Sequence, residues 1–375
     1  MAVRGGGQIV NVSSGAGKHD PPVPADQGAW GYAYGASKAA LARLSPSDAR
    51  VAERGHRVLM VEKKRFPREK TCGDGLTPRS VRQLTDMGLA EPLSEFHRYD
   101  GLRSIAHGVT MELKWPDHPE FPDHGYVVRR RDLDEMVAQR AVKAGATLWQ
   151  ACEALEPVVE GGIVTGAMVK HKETGTTERV SARYLVVADG SNSRFGRALG
   201  TSRDRTYPLG MAVRGYYRSP LSEDPWIESH LDIVDRDGAH LPGYGWIFPL
   251  GDGRVNVGVG LLSTFAGWKD INTSRLMDTF VDVAPNYWGL SPEGAEGPVT
   301  GGKLPTGGTW AELISAYCNR LREVAEKKGT PASPATARAR SVLPVPGGPT
   351  RSTPLGIRPP SNWNFLGFLR NSTTS

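Results

Sequence analysis

The apolar positions of this chain fall into two textures. Val58-Leu59-Met60-Val61 and Tyr184-Leu185-Val186-Val187-Ala188 are short uninterrupted runs, closed by Glu62 and by Asp189-Gly190. Runs of this kind predict strands of a parallel sheet covered on both faces. Over 211–217, 226–234, 244–249 and 254–262 the pattern alternates with period two, which predicts antiparallel strands with one covered face. Residues 131–144 put Leu133, Met136, Val137 and Ala141 on one helical face, and Gly145 stops that helix. Ser47 to Gly55 reads as the end of another helix. Nearer the N-terminus a strand is expected over Gln8–Val12 and a helix over Tyr32–Leu44; a further amphipathic helix is expected over Trp310–Lys328. The chain is therefore α/β, with two sheets of different character.

Composition marks off the ends. Residues 1–46 are rich in Gly, Ala and Ser and contain Pro21-Pro22-Val23-Pro24, a loop signal. Residues 329–375 hold eight prolines and no acidic residue, and are expected to lack regular structure. The net charge of +6 sits in this region: Arg320–Ser375 carries nine Lys/Arg against two Asp/Glu, leaving 37 against 38 elsewhere. The basicity thus gives no reason to expect nucleic acid as a partner. The 39% apolar and 23% charged content suits a globular protein. No apolar window reaches the roughly 18 residues of a transmembrane helix, and no signal peptide is visible. Cys72, Cys152 and Cys318 lie far apart without a CxxC pair, which argues against a disulfide scaffold or a metal site. A reducing cytoplasm is the expected location.

Two stretches carry candidate chemistry. In the first, Ile9-Val10-Asn11-Val12-Ser13-Ser14 is followed by Tyr34-Gly35-Ala36-Ser37-Lys38. Tyr and Lys four residues apart on a helix share a face. This stretch resembles the catalytic segment of short-chain dehydrogenases/reductases, and the resemblance implies Ser14, Tyr34 and Lys38 as catalytic positions. It covers only about 45 residues and lacks that family's phosphate-cradling turn. Gly15-Ala16-Gly17-Lys18 runs into Pro21-Pro22 and offers no helix N-terminus to a pyrophosphate. The segment reads as a fragment whose motif is vestigial.

The second stretch is longer. Ala49–Glu62 looks like the helix end, second strand and terminal acid of a dinucleotide-binding βαβ unit. It is followed by Phe66-Pro67-Arg68-Glu69-Lys70-Thr71-Cys72-Gly73-Asp74-Gly75-Leu76-Thr77-Pro78-Arg79, by Arg130-Arg131-Asp132-Leu133-Asp134 and by Tyr184–Ser193. Last come Tyr244-Gly245-Trp246-Ile247-Phe248-Pro249 and Asn256-Val257-Gly258-Val259-Gly260. In this order and spacing, residues 48–308 closely resemble the geranylgeranyl reductase family of FAD-dependent oxidoreductases. The resemblance implies a glutathione-reductase-like, Rossmann-type FAD-binding domain with an antiparallel β-sheet substrate domain. By the same resemblance Cys72 and Gly73 form the turn at the flavin ring. Glu62, Asp74, Gly75, Arg130, Asp189 and Gly190 bind the cofactor, and Tyr244, Trp246, Phe248 and Pro249 line a prenyl site.

The same resemblance sets the expected domains. Residues 1–46 are the short-chain-dehydrogenase-like fragment, and 47–200 a partial FAD-binding domain, with substrate-domain strands within 100–128. Residues 201–310 are the substrate domain, and 311–375 a helix and a Pro/Arg-rich tail. Two flavin contacts depart from the pattern. Tyr32-Ala33-Tyr34-Gly35-Ala36-Ser37 stands where a Gly-x-Gly-x-x-Gly turn is expected, and the third flavin motif does not follow Gly307-Gly308. The FAD domain is therefore expected to be incomplete, FAD binding weak or absent, and the isolated chain colourless and inactive. The Gln8–Val12 strand is expected to fill the slot of the missing first strand. The implied reaction is reduction of double bonds in a polyprenyl lipid, with NAD(P)H as a candidate donor and peripheral association with a membrane surface. The alternatives are a flavin monooxygenase acting on an aromatic substrate, a short-chain dehydrogenase, and an inactive chimeric remnant.

Overall fold

The computed structural model describes residues 8–12, 52–53, 55–71, 73–190, 193–200, 209–234, 237–238, 240, 243–263, 271–305 and 336–337. Helix Tyr32–Leu44 and helix Trp310–Lys328 of the sequence reading lie outside these residues.

The two uninterrupted apolar runs form strands Val58–Val61 and Tyr184–Ala188 of one four-stranded parallel sheet. They are not neighbours. Gln8–Val12 lies between them, pairing Gln8 with Tyr184 on one side and with Val58 on the other. That strand occupies the slot expected for it. Thr147–Trp149 completes the sheet beside Val58–Val61.

Both faces of the sheet are covered at Val58–Val61, which is why that strand is apolar at every position. Val58 and Met60 pack with Ala141 and Ala146, on the side of helix Arg130–Lys143. Val61 packs with Cys152, Ala167, Val169 and Phe195. The cover on this second face includes a three-stranded antiparallel sheet, Cys152–Glu160, Ile163–His171 and Thr177–Ser181. Tyr184, at the free edge, is exposed, and only Ala188 of its strand is buried. The strand is thus less covered than its apolar run suggests.

The alternating segments form strands Leu209–Arg218, Trp226–His230, Gly243–Pro249 and Arg254–Leu262 of an eight-stranded sheet. Pairing is antiparallel from the Ala295–Pro305 edge through to Trp226–His230. Trp226–His230 then runs parallel to Gly101–Ala106, which forms a hairpin with Val109–Lys114. Of the strands within 100–128, Gly101–Ala106 and Val109–Lys114 join the large sheet. Beyond Val109–Lys114, Thr336–Ala337 pairs with Thr110–Met111. Thr336 and Ala337 are the only described residues of the segment 329–375, for which no regular structure is expected; the rest of it lies outside the described residues.

Period-two alternation gives the large sheet two distinct faces. Val213, Tyr217, Ile247, Val255, Val257, Val259 and Leu261 point to helix Thr273–Val283, where Leu276, Met277, Phe280 and Val281 complete the core. The opposite face carries Tyr216, Trp246, Phe248 and Asn256. A small sheet of Gly75–Leu76, Gly125–Val127 and His97–Tyr99 stands against that face, with Tyr99, Val127, Leu102, Ile227 and Phe248 in one cluster. Among the described residues no helix is long and apolar enough to cross a membrane.

Candidate functional site

Glu62 and Asp189-Gly190 follow the carboxyl ends of two strands separated by Gln8–Val12, so both stand at the edge where parallel α/β sheets bind ligands. Gly190 has φ +93°, a left-handed conformation that favours glycine at this turn. Burial pushes the Asp189 carboxyl up, against a lowering hydrogen bond with Ser193. Ser193 also caps helix Arg194–Ala198, accepting the Gly196 N–H at 2.6 Å.

Glu62 and Arg130 come together through two residues that the sequence motifs contain but to which the sequence assigns no role. Arg68 donates to Glu62 at 3.0 Å and to Asp134 at 2.8 Å, and Arg130 donates to the same Asp134 at 2.8 Å. Glu62 accepts a further bond from the Lys64 N–H. All four side chains are buried. Each charge is paired, as burial of ions demands.

The turn that follows carries Gly73, Asp74 and Gly75; Cys72 lies outside the described residues. A Cβ on Gly73 or Gly75 would meet Phe248 Cε2 at 3.4 Å, an ordinary contact distance, so the Phe248 ring lies beside this turn. Asp74 is buried, and its carboxylate accepts three hydrogen bonds. Tyr216 O–H and Asn256 Nδ2 donate to Oδ2 at 2.8 and 2.7 Å, and the Arg130 N–H donates to Oδ1 at 3.2 Å. Burial pushes this carboxyl up while the Asn256 and Tyr216 bonds oppose the shift. Burial, and then the Asp74 charge, push the Tyr216 phenol up.

The wall facing the turn is a row of rings. Tyr244, Trp246 and Phe248 alternate along one strand, with ring centroids 5.5 and 6.3 Å apart. Trp246 Nε1–H donates to Asn256 Oδ1 at 3.0 Å, and its six-membered ring fills the space left by Gly258. Pro249 falls on the opposite face by the same alternation, apart from the three rings. Ser14, Tyr34 and Lys38 lie outside the described residues.

Sequence reasoning missed Arg68, Asp134, Tyr216 and the bonds of Asn256. One signal was present: in Val255-Asn256-Val257-Gly258-Val259-Gly260 the valines alternate with small or polar residues, leaving one face of that strand open to a neighbour's ring. In a separate group, Cys152 lies 3.2 Å from His171, with Glu178 beyond it. The buried thiol donates to the Gln150 carbonyl, and burial pushes its pKa up.

A Rossmann-type sheet, polar groups at its carboxyl edge and a glycine turn facing an aromatic wall define an FAD-binding flavoprotein, and residues 49–224 match the FAD binding domain family. Over 266 residues the chain is 40% identical to a menaquinone reductase of Mycobacterium tuberculosis, covering 70% of this chain and 63% of the relative. It is 32% identical over 214 residues to digeranylgeranylglycerophospholipid reductase 2 of Methanopyrus kandleri, covering 56% of this chain and 50% of that protein. These similarities support the resemblance to the geranylgeranyl reductase family of FAD-dependent oxidoreductases. It spans less than two thirds of the length of these relatives. A geranylgeranyl bacteriochlorophyll reductase-like structure from Thermoplasma acidophilum shares the fold, with TM-score 0.59 and 20% identity over 86% of this chain and 79% of that one.

Proposed function

We propose that this chain is built for FAD-dependent reduction of isolated double bonds in a polyprenyl chain, on a glutathione-reductase-like FAD domain that is incomplete. The observation that carries the reading is the Tyr244–Trp246–Phe248 row beside the turn at Gly73–Gly75, whose two glycines flank Asp74. Glycine backbone suits close approach of a flat ring, and a row of aromatic faces suits a long hydrocarbon at roughly 0.8 kcal/mol per buried methylene. The residues present fit the cofactor at the ring and adenosine ends, through the 73–75 turn, Glu62, Arg130 and Asp189-Gly190. When bound, FAD supplies the hydride, with NAD(P)H as the donor that recharges it. The protein's part is to bind and orient the alkene against the turn and to keep water out of the site.

Retention of FAD is proposed to be weak, because Tyr32–Ser37 cannot form the diphosphate-binding glycine turn. The menaquinone reductase and digeranylgeranylglycerophospholipid reductase relatives point to a lipoquinone or prenyl lipid as substrate class. Such a substrate would bring the protein to a membrane surface from the cytoplasm. Product analysis tests the reaction: the chain with excess FAD and NAD(P)H is incubated with a polyprenyl quinone and the products are weighed by mass spectrometry. Addition of two hydrogens to the side chain is expected. Insertion of an oxygen atom would overturn the reading in favour of a monooxygenase.

A further inference from the structure

We propose that Asp74 is a positioning residue: through Asn256 it sets the plane of the Trp246 indole, and so ties the turn at Gly73–Gly75 to the aromatic wall. This rests on the reading of Trp246 as part of the substrate wall.

The argument is one of donors and acceptors. An indole N–H can only donate, whereas an amide side chain has one acceptor end and one donor end. Asp74 Oδ2 stands 2.7 Å from Asn256 Nδ2, and Asn256 Oδ1 stands 3.0 Å from Trp246 Nε1. Reversing the Asn256 amide would set its NH2 against the indole N–H and its oxygen against the carboxyl oxygen. Both contacts would be lost in a buried place, where an unmet polar group is expensive. The Asp74 carboxyl therefore selects the amide orientation, and the amide selects where the indole edge lies. Trp246 has little other freedom, since Gly258 lies directly beneath its six-membered ring.

Asp74 is itself tied at its other end to what the cofactor reading uses. Its Oδ1 takes the Arg130 N–H at the start of helix Arg130–Lys143, and its backbone carbonyl takes the Val128 N–H at 2.8 Å. Tyr216 O–H adds a third anchor from the large sheet. A shift of the turn must therefore be felt at Trp246. The link joins residues 182 positions apart in sequence.

The test uses the indole N–H resonances of the full chain labelled with 15N-tryptophan, with the Trp246 signal assigned by its loss in W246F. Asn256→Asp sets two carboxyl groups against each other and is expected to shift the Trp246 signal and speed its N–H exchange by about tenfold, the loss of one net hydrogen bond. The other eight of the nine indoles should stay in place. The swap D74N/N256D restores a donor facing an acceptor and leaves a carboxylate oxygen for the indole, so the Trp246 signal and its slow exchange should return. Should N256D alone fail to fold, a folded swap variant with a native-like Trp246 signal supports the relay by itself. A folded swap in which Trp246 exchanges as fast as a solvent-exposed indole overturns it. The readout involves neither flavin nor substrate, so it fails or succeeds independently of the prenyl reductase reading.

Discussion

Gly258→Ala tests how closely the aromatic wall is packed. A Cβ at this position would lie 2.0 Å from Trp246 Cζ2, 2.2 Å from Cε2 and 2.6 Å from Cη2. Ordinary contact needs about 3.4 Å or more, so the ring must retreat by more than about 1 Å. It cannot do so while its N–H stays on Asn256 at 3.0 Å. Overpacking of this kind costs about 1–3 kcal/mol, and the strained or broken hydrogen bond adds about 1 kcal/mol. The expected destabilisation is about 2–4 kcal/mol. Gly260→Ala is the internal control. A Cβ there meets nothing closer than the Met211 carbonyl at 3.4 Å, with Ala212 and Tyr244 at 3.7 and 3.8 Å. Its effect should stay within about 1 kcal/mol. The assay is urea unfolding of the full chain and both variants, followed by tryptophan fluorescence. Equal stability of G258A and G260A would refute the packing argument.

Two further outcomes concern buried charge. The fully buried Glu228 is pushed up by desolvation, but bonds from His230, Trp288 and Tyr287 outweigh this and hold its carboxyl below the ordinary 4.5. Its stabilisation is therefore present above about pH 4.5 and lost as pH falls through the lower folded value; E228Q should cost about 3–5 kcal/mol at pH 7 and flatten the acid limb of stability against pH. Arg68→Met leaves Glu62 and Asp134 buried without their shared cation, and a loss of about 3–5 kcal/mol in urea unfolding is expected. An unchanged midpoint would mean that the pair is solvated.

What the sequence made legible follows the strength of its periodicity. Val58–Val61 and the strands over 209–218 and 243–262 stand out because their apolar residues run uninterrupted or recur with a period near two. The sheet of Cys152–Glu160, Ile163–His171 and Thr177–Ser181 did not, because Glu153, Glu156 and Glu160 interrupt its first strand and much of it faces solvent. Ala295–Pro305 is a sheet edge broken by Gly297, Gly301 and Gly302, with too few apolar residues to show a period. At the site, the rings at 244, 246 and 248 were legible as an alternating row. The bonds that hold them were not, because Asp74, Tyr216 and Asn256 meet only through tertiary structure. Arg68 was hidden in a charged run, Arg65 to Lys70, where nothing local distinguishes it from a solvated residue.

The central claim is that these residues form a flavin site facing an aromatic wall, with the diphosphate poorly held. Titration of the purified full chain with FAD, followed by flavin fluorescence, tests it most directly. Losing several charge-assisted bonds of about 1.5–3 kcal/mol each should leave a colourless protein that binds added FAD saturably, with a dissociation constant of about 10–1000 µM. A protein that purifies yellow with one tightly bound FAD would contradict the weak-retention argument, and the absence of saturable binding would contradict the flavin site itself.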